Sequence, residues 1–438
     1  GPVFAGEGLK ARAMRGSAWT IIGFGTQQVL RLGSNLILTR LLFPEAFGLM
    51  ALVQVFMQGL AMFSDVGIGP SIIQNKRGDD PDFLNTAWTI QVVRGFVLWL
   101  VACAIAYPIA GLYNEPMLAE LLPVAGLSAV IAGFKPTKIS TANRHLALGR
   151  LTTIELGSQV IGITCLVALA WWLESVWALV YGGLIGAAAK TILAQTALPG
   201  SMNRFRWDPT ATNALVSFGK WIFLSTILGF IVGQGDRLIL GAFIPINTLG
   251  VYSIASMMAM LTWKMNSQIS NKVLFPIYAK LQDASPEDLK PRIRQARLTL
   301  ISALLPLLLF CIVFGPDIIS FLYDKRYSDA GWMLQVLSAG YAILVASNIG
   351  PFYLGFGHSR VFTLMIFIKG VTLLCSMLIG GYLWGVTGIV VGVGASHWVY
   401  YIPQVLMYRR YSLWLWKIDL LAIATIMAAI CAAAAREL

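Results

Sequence analysis

About thirteen apolar runs, each of roughly twenty residues or more, follow one another along this 438-residue chain. A bilayer core offers the backbone no water to bond. A chain of such runs can therefore cross it only as α-helices, which satisfy their own N–H and C=O groups. The runs cover 17–42, 46–74, 85–111, 117–142, 151–173 and 176–198, then 214–243, 248–277, 297–322, 330–356, 360–382, 386–408 and 418–435. The fold class is all-α and polytopic. Charged residues make up 12% of the chain and apolar ones 57%, against about 25% charged in soluble domains. The net charge of +12 does not point to nucleic acid. The basic residues stand singly between apolar runs and form no patch. Cys103, Cys165, Cys311, Cys375 and Cys431 lie inside apolar runs with no close pair, which speaks against disulfides and zinc.

The chain also repeats itself. The stretch Trp19–Leu52 aligns without a gap on Trp221–Ile254 at an offset of 202, with Trp19 on Trp221, Leu36-Ile37-Leu38 on Leu238-Ile239-Leu240 and Gly48 on Gly250. Gly149-Arg150 has a counterpart in Ser359-Arg360 at an offset of 210, the drift that loop insertions in a duplicated chain produce. Two lobes of like topology follow. The expected layout is a lobe of six helices over 3–200, a linker at 201–213, a second lobe of six over 214–410, and an interfacial segment with one extra helix over 411–438. Gly1-Pro2 reads as a protease-tag scar. The odd helix count leads us to expect a further helix beyond residue 438.

Loop charges set the orientation. With the N-terminus cytoplasmic, Lys10, Arg12, Arg15, Lys76, Arg77, Lys135, Lys138, Arg144, Arg150, Arg204 and Arg206 fall inside. So do Lys280, Lys290, Arg292, Arg294, Arg297, Arg360, Arg409, Arg410 and Lys417, while the outer loops hold only Arg40, Lys325, Arg326 and Arg436. Residues 281–295 read as a short amphipathic surface helix, and 411–417 (Y-S-L-W-L-W-K) as interfacial.

No G-x-x-x-x-G-K-[ST], H-E-x-x-H or nucleophile elbow occurs, so the chain carries no P-loop for ATP and no recognisable catalytic set; no cofactor is expected. The informative residues are charges at membrane depth, each costing several kcal/mol unless it meets a partner or a polar cavity. They are Arg31, Asp65, Arg94 and Glu155 in the first lobe, and Asp236, Arg237, Lys264 and Lys369 in the second, with His397 as a titratable neighbour. Asp65 could pair with Arg94, and Asp236-Arg237 could neutralise a neighbouring copy of the same kind; Asp65–Arg94 and Asp236 read either as structural ion pairs or as functional groups. Glu155 and Lys190 read as snorkelling near helix ends. Five cations (Arg31, Arg94, Arg237, Lys264, Lys369) against two deep acids (Asp65, Asp236) argue for a hydrated cavity that receives an anion. Arginine suits phosphate in particular, because its planar fork binds phosphoryl oxygens bidentately.

The runs L-T-R-L-L-F-P-E-A-F-G-L-M-A-L (Leu38–Leu52), F-S-D-V-G-I-G-P-S-I-I-Q (Phe63–Gln74) and A-W-T-I-Q-V-V-R-G (Ala87–Gly95), and more weakly G-D-R-L-I-L-G (Gly235–Gly241), resemble the polysaccharide transporter family. They are similar in particular to its Wzx-type flippases of the exopolysaccharide branch. The resemblance implies the fold of the multidrug/oligosaccharidyl-lipid/polysaccharide (MOP) exporters, shared with MATE transporters. That fold has two six-helix lobes related by a pseudo-twofold around a cavity that opens on alternate sides. It implies an inner-membrane flippase, not an enzyme. The cargo would be an undecaprenyl-diphosphate-linked oligosaccharide repeat, moved from the cytoplasmic to the periplasmic leaflet and handed to polymerase and export machinery. Arg31 and Arg94 best fit diphosphate receptors, joined by Arg237, Lys264 and Lys369. Asp65, Asp236 and His397 are candidates for ion coupling, and Arg40 with Glu45 for an outer gate or a cap. A drug/cation antiporter of the same fold, a lipid II flippase and a membrane glycosyltransferase are the rival readings.

Overall fold

A computed structural model of the chain describes residues 9–64, 67–270, 286–349, 352–356 and 358–437, with several side chains, chiefly within 9–21 and 214–228, outside that description. No strand occurs among the described residues. The chain divides into two compact units, Gly1–Ile227 and Leu228–Leu438.

The first unit holds α1 (Leu9–Leu41), α2 (Pro44–Phe63), α3 (Ile68–Gln74), α4 (Pro81–Tyr113), α5 (Leu118–Gly133), α6 (Lys138–Arg144), α7 (Leu148–Leu173) and α8 (Trp177–Ala197). Helix α9 (Pro209–Phe243) carries the chain into the second unit. There follow α10 (Ile246–Ile269), α11 (Pro286–Leu322), α12 (Ala330–Ser347), the single turn α13 (Phe352–Gly355), α14 (Ser359–Arg410) and α15 (Trp416–Glu437). Eight helices among the described residues are long and apolar enough to cross a membrane, or nine if α5 and α6, bent by 56°, form one span. The run 117–142 is thus broken where Lys135-Pro136 removes a helical donor. The run 46–74 becomes α2 and α3.

The sequence repeat reappears in the helix boundaries. Helix α1 ends at Leu41 and α2 opens at Pro44, while α9 ends at Phe243 and α10 opens at Ile246, both at the offset of 202. Pro44 opens α2 as its first residue, where the missing N–H costs nothing. Asp80 caps α4, its carboxylate accepting from the Asp82 N–H at 3.0 Å.

Helix α14 is two antiparallel limbs. Trp384 (φ −135°, ψ 18°) and Gly385 (φ 60°, ψ −138°) leave helical geometry between them, matching the separate runs 360–382 and 386–408. The limbs meet backbone to backbone. A Cβ on Gly388 would overlap the Gly380 carbonyl, one on Gly392 would overlap that of Ser376, and one on Gly381 would stand 2.9 Å from Ile389 Cγ1. Glycine at these positions lets two spans touch along their main chains.

Helix ends inside a membrane protein need partners for their last carbonyls, and in the first unit long polar side chains supply them. Gln91 Nε2 donates to the carbonyls of Ala132, Gly133 and Lys135 at 3.1, 2.9 and 3.0 Å, closing α5. Lys138 Nζ donates to Gln195 O at 3.1 Å in the last turn of α8. Arg144 Nη1 reaches the Ile72, Ile73 and Asn75 carbonyls at 3.0, 2.8 and 2.8 Å at the C-terminal end of α3.

One surface expectation changes. Residues 271–285 lie outside the described residues, and from Pro286 the chain is already α11. Lys290, Arg292 and Arg294 therefore ride the first turns of a helix whose span runs from Lys290 to Leu322, not a separate surface helix. The 411–417 segment is partly buried against the protein. Ser412 turns it at φ 56°, Leu413 is buried, and the Arg409 guanidinium stacks 4.0 Å from the Trp414 ring.

Candidate functional site

In the first unit, Arg31 is exposed on α1, and Arg40 and Glu45 are exposed on either side of the α1–α2 break. Asp65 lies outside the described residues, so its pairing with Arg94 does too. Arg94, on α4, donates from Nε to Ser64 Oγ at 2.9 Å and from Nη2 to Ala61 O at 2.6 Å. Its guanidinium is thus a cap on the end of α2, and Gly95 beside it lies against the Ala129 carbonyl of α5. Glu155 pairs with Lys190 Nζ at 3.0 Å and accepts from Gln27 Nε2 at 3.3 Å, tying α7, α8 and α1.

The segment read as an inter-lobe linker is a strap bound to the first unit. The backbone N–H groups of Arg204, Arg206 and Asp208 donate to Asn85 Oδ1, Thr89 Oγ1 and Thr86 Oγ1 on α4 at 3.0, 3.0 and 3.1 Å. Asn203 Oδ1 accepts from Thr137. Arg77 closes the clasp, donating to Asp80 Oδ2, Asp208 Oδ2 and Thr210 Oγ1 at 2.8, 2.9 and 2.9 Å. The Thr210 hydroxyl, then Arg77, hold the Asp208 carboxyl down at about 2. Close by, His145 Nε2 meets Asp79 Oδ1 at 2.8 Å and Arg144 Nε meets its Oδ2 at 3.1 Å. Foremost that histidine contact keeps Asp79 below the usual carboxylate range.

In the second unit, Asp236 is buried and accepts the Tyr252 hydroxyl at 2.6 Å. Arg237 Nη1 donates to Gln234 Oε1 at 3.1 Å, and its Nε is buried with no hydrogen-bond partner among the described residues. His397 is buried, its Nδ1 3.0 Å from Ser396 Oγ and its ring edge-on to Tyr341 at 5.1 Å. Lys264 is half-buried on α10. Lys369, on the first limb of α14, faces a cavity of about 370 Å³. Its ammonium lies 4.9 Å from the Trp263 ring centre and 5.9 Å from that of Tyr400, a cation–π arrangement.

One deep pair escaped sequence reasoning. Arg297 and Asp419 are both almost wholly buried and form an ion pair. Arg297 also donates to the Ala346 carbonyl. Asp419 further accepts from Tyr401 OH at 2.8 Å and Trp414 Nε1 at 3.0 Å, so α15 is locked to α11, α12 and α14. Arg297 is therefore not one of the loop cations. The signal was present in Asp419, a lone acid one residue inside the run 418–435. No group of three or more His, Cys, Asp or Glu side chains that could hold a metal occurs among the described residues.

Comparison with known proteins agrees with this architecture. Residues 37–331 match a family described as "Polysaccharide biosynthesis protein". The chain is similar to "Lipopolysaccharide biosynthesis protein WzxC" of Escherichia coli (strain K12), 24% identical over 96% of this chain and 87% of that protein. It is also similar to "Succinoglycan biosynthesis transport protein ExoT" of Rhizobium meliloti (strain 1021), 20% identical over 82% and 72%. Among solved structures, "Lipid II flippase MurJ, inward closed conformation" superposes with TM-score 0.72 at 13% identity over 93% of this chain and 91% of that one. An inward-facing MATE transporter of the MOP superfamily superposes with TM-score 0.66 at 15% identity over 88% and 94%. This chain, multi-pass, all-helical and built on the fold that MurJ and the MATE transporters share, belongs to the polysaccharide biosynthesis protein family.

Proposed function

We propose that the protein is a flippase that carries a polyprenyl-diphosphate-linked oligosaccharide from the cytoplasmic to the outer leaflet of a bacterial inner membrane, its N-terminus cytoplasmic. The observation that carries this reading is membership of a polysaccharide biosynthesis family by a chain built on the fold of a solved lipid flippase, with several cations carried on its helices. A transporter needs such groups to replace the hydration shell of a charged head-group. Arg31, Arg94, Arg237 and Lys264 would receive the diphosphate, the arginines through bidentate contacts. Asp236, buried against the Tyr252 hydroxyl, and His397, buried edge-on to Tyr341, are the candidates for coupling to an ion gradient, with Asp65. The polyprenyl tail would stay in lipid throughout.

Thermal unfolding of the purified protein tests this. A ligand that binds only the native state raises the melting temperature. A polyprenyl-diphosphate-linked sugar should stabilise, its monophosphate counterpart should not, and Arg31→Ala should remove the difference and abolish export in cells. Stabilisation by organic cations with no response to either lipid would replace this reading with a drug antiporter. Product formation from a sugar donor would replace it with a transferase.

A further inference from the structure

The first turns of α11 carry a second cleft, within the second unit. Lys290, Arg294, Gln295 and Leu298 stand at i, i+4, i+5 and i+8 and so share one face of that helix. The face lines a cleft of about 750 Å³, bounded across from it by Leu415 on the approach to α15. Its character changes along the helix axis. Lys290 and Arg294 come first, the Gln295 amide follows, and Leu298 with the buried Leu415 supplies an apolar end. Leu298 lies about 12 Å along the axis from Lys290. The membrane-length part of α11 starts at Lys290. The cations therefore stand where head-groups lie, and the leucines where acyl chains begin. The surface nearby has the same order. Trp416 is exposed in the first turn of α15, with Leu420 and Leu421 exposed one turn further on, as at a membrane boundary.

The next cation on α11 shows what the first two lack. Arg297 is buried and paired with Asp419. Lys290 and Arg294 are exposed, and neither forms an ion pair with an acid among the described residues. Like charges one turn apart on a helix repel, and an anion between them turns repulsion into attraction. The occupant that fits is anionic at one end and apolar at the other. A soluble anion would leave Leu298 exposed to water, and a zwitterionic lipid would bring an ammonium that competes with the two cations. We infer that this cleft binds an anionic phospholipid of the surrounding membrane, its phosphodiester between Lys290 and Arg294 and its acyl chains against Leu298. The guanidinium offers a planar fork to the phosphoryl oxygens and the ammonium a point charge. Basic clefts at the cytoplasmic ends of membrane helices hold head-groups in this way. The lipid would join α11 to the chain entering α15, next to the Arg297–Asp419 pair, and the assignment does not depend on the cargo.

The test uses full-length protein purified in a neutral detergent. Thermal unfolding is followed while phosphatidylglycerol, phosphatidylcholine, glycerophosphoglycerol (the first lipid's head-group without its chains) or inorganic phosphate is titrated in. Phosphatidylglycerol should stabilise wild type and the other three should not. Each cation near a membrane surface is worth about fivefold in affinity for anionic lipid, so Lys290→Gln/Arg294→Gln should need about thirtyfold more phosphatidylglycerol for the same shift. Arg292→Gln is the control, exposed on the same helix but outside the cleft, and should lose less than about threefold. All three side chains are exposed, so the variants should fold. No response of wild type to phosphatidylglycerol overturns the assignment. Equal stabilisation by phosphatidylcholine, or by either water-soluble phosphate, does so too. A loss in Arg292→Gln as large as in the double variant would also overturn it, making the attraction a property of the whole surface and not of the cleft.

Discussion

Removing the carboxylate of Asp419 should unfold the second unit more than any other single charge deletion here. Arg297 is 1% exposed and Asp419 3%, so Asp419→Ala leaves a guanidinium buried without its counter-ion, which costs about 3–5 kcal/mol. Tyr401 OH and Trp414 Nε1 lose their acceptor as well, about 1 kcal/mol each. The total is about 5–7 kcal/mol. Arg297 Nε and Nη1 have no partner among the described residues even in the intact pair, so the pair itself is no strong net stabiliser. The double variant Arg297→Met/Asp419→Leu should therefore fall within about 2 kcal/mol of wild type. Unfolding in mixed micelles, followed by tryptophan fluorescence, completes the double-mutant cycle. An Asp419→Ala cost under about 1 kcal/mol, or a double variant as unstable as the two singles summed, would refute the reasoning.

Arg94→Gln retains a donor for the Ala61 carbonyl while discarding the charge. It should accumulate in the membrane near wild-type level and lose export, whereas loss of both together would make Arg94 a purely structural cap. Asp208 and Asp79 have lowered folded-state values, so the stabilisation they give is present above the ordinary carboxylate range and lost as pH falls through those values. For Asp208 that window runs from about pH 4 to about 2, and pepsin should nick the 201–208 strap increasingly across it. Asp208→Asn should be nicked already at pH 4, and equal resistance of both proteins would count against the clasp. In α14, Gly388→Ala forces a Cβ onto the Gly380 carbonyl and should cost about 1–3 kcal/mol or more. Gly385→Ala meets open space, but φ 60° with ψ −138° is a region that glycine alone adopts freely, so it too should cost about 1–3 kcal/mol; size-exclusion profiles of both variants should broaden, and an unchanged Gly388→Ala profile would count against the close contact of the limbs.

The all-helical class and the turn shared by α1–α2 and α9–α10 were legible because both rest on local pattern. The proline-containing turn recurs at one offset, and the apolar runs need no partner to be recognised. The roles of the charges were not, because a role depends on what another helix brings. Arg94 looks like a functional cation in W-T-I-Q-V-V-R-G, and only the fold sets it on the last carbonyls of α2. Arg297 sits next to loop cations in sequence and was counted with them, while its partner Asp419 lies 122 residues on. Lys369 was identifiable by the cost of its depth alone. Its aromatic and phenolic neighbours come from α10, α13 and the other limb of α14, and no spacing rule joins them.

The strap across α4 has a consequence for how the protein is made. Arg77 emerges from the ribosome long before Asp208, 131 residues later, which at bacterial and eukaryotic elongation rates is an interval of roughly 7–26 s. Through that interval Arg77 has its neighbour Asp80 as an acid partner and the side-chain acceptors of Asn85, Thr86 and Thr89 on α4 await the strap. The last of these bonds forms only after α1 to α8 have all been synthesised. The clasp can thus close only once the first half of the protein has been made.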